Sequence, residues 1–169
     1  MIPEEFIKWF RPHALKVEAA TGISSTFLLA QSALESAWGK KAVGNMMFGV
    51  KDTDGVNGNE QLITTTEYSL NPRLKFPVII SVVKTLRNGK YWWKYTVKDY
   101  FRKYPSPEQS FSDHAKMLMR APHYQKAMKV KHDPYLLAKE IAAAGYATDP
   151  NYAQVLRDMV YSIQKRLPK

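Results

Sequence analysis

Two glutamates carry the chemistry that this sequence can perform. Glu35 lies in Thr21 to Gly39, TGISSTFLLAQSALESAWG, where Phe27, Ala30, Gln31, Leu34 and Trp38 recur at helical spacing and Leu28 and Ala37 widen the apolar stripe. A carboxyl group set in an apolar wall holds its proton to higher pH, as a general acid must. The alternative reading of Glu35 is a surface glutamate on the polar side of a scaffold helix. Glu67 ends a β-branched run, QLITTTEY, that follows a loop rich in glycine, asparagine and aspartate. One carboxyl on a buried helix and another on a strand are two distant positions able to flank a groove, and glycosidic cleavage needs such a division between a protonated acid and an ionised partner.

Other chemistries find less support. The chain has no cysteine, which removes thiol nucleophiles, cysteine-ligated metals and disulfides. His13, His114, His123 and His132 show neither HExxH nor the tight paired spacing of a zinc site. Asp113 and its neighbour His114 point to different sides of a helix, so their adjacency is no evidence of a dyad. Serine-elbow, phosphate-cradling and dinucleotide glycine strings are absent. Asp52, Asp54 and Asn57 offer oxygens for calcium, but no glutamate closes the series and no helix pair flanks it, so turns are the preferred reading. No cofactor and no metal are expected.

The elements that must position the glutamates follow from capping and periodicity. Pro3, with Glu4 and Glu5 behind it, opens a short helix, and a second helical pattern runs from about His13 to Ala20 beyond Pro12. Ser24 or Ser25 caps the helix of Glu35, and Gly39 is its exit. Met46, Met47, Phe48 and Val50 tuck the following loop onto the core. In the strand Gln61 to Tyr68, Leu62, Thr64, Thr66 and Tyr68 share one face and Ile63, Thr65 and Glu67 the other. Arg87-Asn88-Gly89-Lys90 is a strong hairpin signal, and a β-meander from Gln61 to Tyr104 is the preferred reading, with a short buried helix over Val78 to Leu86 as its alternative. Ser106-Pro107 opens a helix with Phe111, Ala115, Leu118 and Met119 buried, and Ala121-Pro122 ends it. Asp133-Pro134 opens another, through Leu136, Leu137, Ile141 and Ala144 to Gly145. The last carries Tyr152, Val155, Leu156, Met159, Val160 and Ile163 inward. Helices around one strand-rich insertion make the fold class α+β, mainly helical. At 169 residues the chain holds one well-filled core and is expected to be a single domain over 1–169, with a β-lobe at about 61–104.

The net charge of +10 favours an anionic partner. Between Lys84 and Tyr104, seven basic residues face the single Asp99, interleaved with Tyr91, Trp92, Trp93, Tyr95 and Tyr100. Such aromatics stack on sugars or on bases, or pack one face of a hairpin whose lysines solvate the other; nucleic acid is a rival on these residues alone.

A resemblance narrows the field. Ala33-Leu34-Glu35-Ser36-Ala37-Trp38-Gly39, then NMMFG from Asn45, Thr65-Thr66-Glu67-Tyr68, Phe101-Arg102-Lys103-Tyr104, Ser110-Phe111, Asp113-His114 and finally Ala144 to Pro150 with Tyr152-Ala153 occur in order over about Ile23 to Ile163. In this the chain resembles glycoside hydrolase family 73, the glucosaminidases of flagellar rod proteins, autolysins and phage lysins.

The resemblance implies a lysozyme-like α+β domain that hydrolyses the β-1,4 bond between N-acetylglucosamine and N-acetylmuramic acid in peptidoglycan. It aligns Glu35 with the general acid and Glu67 with the second carboxylate, and puts Trp38, Phe48, Tyr68, Tyr124 and Tyr152 at substrate-binding positions. Inverting, retaining and substrate-assisted routes stay open, as does muramidase specificity on the same scaffold or a non-catalytic wall-binding module. The partners implied are peptidoglycan strands and other anionic envelope polymers, with no specific nucleic acid, for a monomer. Between Asn71 and Lys98 the chain departs from compact members by a basic, aromatic insertion. The N-terminus lacks the basic start and continuous apolar run of a signal peptide, and no stretch approaches the roughly 20 apolar residues of a membrane span. The expectation is a phage lysin, a virion component or an excised domain acting at the bacterial cell wall, outside the membrane or in the periplasm.

Overall fold

The first helical stripe runs straight through its proline. In the computed structural model, which describes Met1 to Lys169, α1 spans Pro3–Thr21 as one helix with Pro12 inside it and Phe6, Ile7, Ala14 and Val17 buried. The break expected near Pro12 does not occur. Lys8 and Pro12 both lie on the exposed side, so the carbonyl that proline leaves without a donor faces water. Gly22, at φ 75°, ends the helix and donates its N–H to the Glu18 carbonyl at 2.7 Å.

The chain forms two compact units, Met1–Gly49 with Tyr104–Lys169 and, separately, Val50–Lys103. The first is helical. Helix α2, Ser25–Glu35, is capped by the Ser24 hydroxyl, which accepts the Phe27 N–H at 3.2 Å. Its residues from Phe27 to Ala33 are all buried, and it packs against α1, α5 (Pro134–Ala143) and α6 (Tyr152–Gln164). Helix α3, Pro107–Arg120, begins at the expected Ser106 cap and lies against α1. It buries Phe111, Ala115 and Leu118, while Met119 turns outward. A short α4, Gln125–Met128, follows. Asp133 caps α5 through the N–H groups of Tyr135 and Leu136. Leu136 and Val155, expected inside, are exposed, whereas Leu137, Ile141, Leu156, Val160 and Ile163 fill the core.

The second unit is a three-stranded antiparallel sheet in the order β1-β3-β2. Strand β1 is Glu60–Ser69, β2 is Val78–Arg87 and β3 is Lys90–Arg102. Arg87 pairs with Lys90 across Asn88-Gly89, both at positive φ, which is the two-residue turn that the sequence signals. The expected meander and its helical alternative are both overturned, since β3 holds the centre and β2 is an edge strand. The reason lies in what each strand can bury. Strand β3 is the longest and carries the buried Tyr95, Val97 and Phe101, whereas nearly every residue of β2 is exposed. Ile80 is the extra residue of a bulge in that edge, a device that disturbs further strand addition. No helix is long and apolar enough to cross a membrane.

Candidate active site

Glu35 is the last residue of α2, four residues short of the expected exit at Gly39. The Trp38 N–H reaches back to the Ala33 carbonyl at 2.8 Å, and the chain turns through Ala37, Trp38 and Gly39, all at positive φ. Left-handed backbone at alanine and tryptophan costs of the order of 1–2 kcal/mol each. The Ser36 hydroxyl holds this turn, donating to the Ser32 carbonyl at 2.6 Å and accepting the Gly39 N–H at 2.9 Å. Trp38 packs edge-on against Phe6 of α1, with ring centroids 5.5 Å apart. The turn therefore leaves Glu35 at the helix end, three residues before an anchored indole.

Burial raises the carboxyl of Glu35 above its ordinary pKa, and a hydrogen bond from Tyr152 opposes this only in part. Its place at the negative end of α2 also disfavours the charged form. The Tyr152 hydroxyl donates to Glu35 Oε1 at 3.0 Å and accepts from Gln31 Nε2 at 3.1 Å. Gln31 Oε1 in turn lies 2.6 Å from His114 Nε2. Gln31 and His114 are fully buried, and Tyr152 nearly so. Burial depresses the His114 pKa to about 3 against the pull of Asp113, so its imidazole is neutral. Burial and the neighbouring Glu35 charge push the Tyr152 phenol far upward, so it stays a donor at any working pH.

The other aromatic candidates distribute unevenly. Phe48 is buried, stacked on His114 at 3.9 Å and edge-on to Phe111. Tyr124 is buried beside His123 and Tyr146. Tyr146 stacks on Tyr152 at 5.7 Å, and burial with the charge of Glu35 holds its phenol protonated too. Thus Phe48 and Tyr124 back the cluster around Tyr152, Tyr152 is bonded to Glu35, and Trp38, three residues beyond Glu35, packs on Phe6. The sequence reading missed Gln31, His114 and Tyr146. The signal for Gln31 was present, because an amide within an apolar stripe must find a buried partner.

Within the sheet unit, Glu67 and Tyr68 point to opposite faces of β1, as alternation requires. Glu67 Oε1 pairs with Lys51 Nζ at 2.9 Å, and the same ammonium reaches Asp99 at 3.2 Å. Partial burial opposes the charge on Lys51, but the two carboxylates more than offset it and raise its pKa. Tyr68 lies instead under the Arg87 guanidinium at 3.9 Å. Asp52 and Asp54, the calcium alternative, face Arg102 at 3.7 and 3.2 Å, and Asp54 also accepts from Val56 and Asn59.

Known proteins resemble this chain over nearly its whole length. The solved glycoside hydrolase domain of Salmonella typhimurium FlgJ is 30% identical and superposes with a TM-score of 0.72, over 97% of this chain and 99% of that one. Peptidoglycan hydrolase FlgJ of Pseudomonas aeruginosa is 31% identical over 95% of this chain, and a probable N-acetylmuramidase of Lactococcus lactis 30% over 93%. This chain spans only 37% and 33% of those two proteins. The α+β architecture is that of these lysozyme-like glycoside hydrolase domains. Residues 11–165 match the family described as glucosaminidase, mannosyl-glycoprotein endo-beta-N-acetylglucosaminidase, and the chain belongs to that family.

Proposed function

We propose that this protein is an endo-β-N-acetylglucosaminidase that hydrolyses the β-1,4 bond after N-acetylglucosamine in bacterial peptidoglycan, with Glu35 as general acid. The observation that carries the reading is a carboxyl group raised in pKa by burial at a helix end, beside a single fixed phenolic donor. Family membership and the peptidoglycan hydrolases among its relatives support the substrate class. Because Glu35 Oε1 accepts the Tyr152 O–H, the acidic proton is assigned to Oε2, which delivers it to the departing glycosidic oxygen. The resulting carboxylate then receives a stronger, charge-assisted bond from Tyr152. Glu67, held by Lys51, is the second carboxylate, which stabilises the oxocarbenium-like transition state or activates water. Trp38 offers an aromatic face to a sugar ring next to the acid.

The exposed face of β1 and β3 supplies a surface for the proposed second partner, an anionic envelope polymer. Arg87, Lys90, Lys94 and Lys98 share the face of Thr64, Thr66 and Tyr68, and none of them pairs with a carboxylate. Arg87 lies over the Tyr68 ring at 3.9 Å and Lys90 lies 5.9 Å from that of Trp92.

Digestion of purified peptidoglycan, borohydride reduction and mass spectrometry of the fragments test the bond. Reduced N-acetylglucosamine ends are expected; reduced N-acetylmuramic acid ends would keep the hydrolase and transfer it to the specificity named for the Lactococcus relative.

A further inference from the structure

We infer that Gln31 and His114 are positioning residues whose hydrogen-bond polarity fixes the Tyr152 proton on Glu35, and so selects which oxygen of the acid carries the transferable proton. This rests on Glu35 being the general acid.

The polarity follows from counting donors along three buried links. His114 Nδ1 is buried with no hydrogen-bond partner, and the ring is clamped face to face by Phe48 at an interplanar angle of 8°. A neutral imidazole has one N–H. Placed on Nδ1, that N–H would be an orphaned buried donor, which folded proteins avoid more strongly than an unused lone pair. The proton therefore belongs on Nε2, where it is donated to Gln31 Oε1 at 2.6 Å. That bond sets the amide of Gln31, whose NH₂ must then face Tyr152 at 3.1 Å. With its oxygen accepting from Gln31, Tyr152 has its O–H left for Glu35 at 3.0 Å. Reversing any link would turn the Tyr152 proton toward Gln31 and leave Glu35 without its donor. Gln31 and Glu35 stand one turn apart on α2, so one phenol from α6 bridges both. The relay thus runs α3 to α2 to α6 and back to the end of α2, and every member but Glu35 is sealed from solvent.

The test compares Gln31→Met, Tyr152→Phe and the double variant, with two readouts. One is the pKa of the Glu35 carboxyl, titrated directly by carbon-13 NMR; the other is the pH profile of kcat. A merely structural Gln31 would change stability and leave both unmoved. Gln31→Met takes away the donor that polarises the Tyr152 O–H and holds it toward Glu35, so the bond to the carboxylate weakens; the Glu35 pKa should rise, the alkaline limb of kcat should move upward with it, and maximal kcat should fall while KM changes less than twofold. In the Tyr152→Phe background, Gln31→Met adds no further shift, because Gln31 acts through Tyr152. An unchanged Glu35 pKa in Gln31→Met, or an equal shift with and without Tyr152, overturns the inference. Full activity in Glu35→Gln would overturn the general-acid reading instead, and the NMR titration would still score the relay on its own.

Discussion

Replacing Glu35 by glutamine should make the protein more stable at neutral pH while abolishing its activity. The native carboxyl has a raised pKa because it is partly buried, and only one hydrogen bond compensates. For an acid so placed, the folded state binds more protons than the unfolded state between the unfolded and folded pKa values. Stability is therefore highest below the unfolded pKa of about 4.3 and is lost as pH rises through the folded value. Glutamine removes the charge and keeps an oxygen for the Tyr152 hydroxyl, so the relay from His114 survives. With the group still partly open to water, the expected gain at pH 7.5 is about 1 kcal/mol, typical of replacing a functional residue, and about 2–4 °C in Tm. At pH 3.5 wild type and variant should differ little. Thermal unfolding of both proteins at the two pH values, followed by circular dichroism, gives the comparison. A loss of stability in Glu35→Gln at pH 7.5, or a difference independent of pH, would refute the reasoning that burial dominates this carboxyl.

Three further outcomes follow from other residues. Ala37→Gly should raise stability by about 0.5–1 kcal/mol in denaturant titration, since glycine adopts the φ of 51° without strain, and catalysis should persist. His114, depressed to about 3 by burial, stays neutral in the folded state while the unfolded imidazole protonates near pH 6.5, so stability should fall as pH drops below that value, by at most about 1.4 kcal/mol per pH unit; His114→Gln should flatten that slope in melts between pH 7 and 4. Lys51→Met leaves Glu67 and Asp99 without their shared cation, and should cost about 1 kcal/mol in unfolding and at least tenfold in kcat, measured on soluble glycan fragments.

Much of this site was legible in advance because local rules agreed with the fold. The Ser24, Ser106 and Asp133 caps, the Asn88-Gly89 turn and the alternation that separates Glu67 from Tyr68 each rest on chemistry within a few residues. Failures came where a long-range choice overrode such rules. Pro12 stays within α1 because the stripe from Phe6 to Val17 is buried on one side and the proline faces water on the other. Strand order depended on which strand carried buried residues at Tyr95, Val97 and Phe101, which no turn signal encodes. Phe48 was read as a groove residue from its motif, yet it stacks on a histidine whose depth in the core could not be known from spacing. The relay itself was hidden for the same reason: Gln31, His114 and Tyr152 are far apart in the chain and meet only through helix packing.

The most direct test of the central claim is the rate of glycan-strand cleavage by wild type and Glu35→Gln on the same purified peptidoglycan, read as new reducing ends by mass spectrometry. N-acetylglucosamine ends should accumulate with wild type and fall at least about 100-fold in the variant, with an unchanged far-ultraviolet circular dichroism spectrum. Cleavage by Glu35→Gln at the wild-type rate would contradict the assignment of the acid, and an absence of new ends with wild-type protein on several wall types would contradict the hydrolase itself.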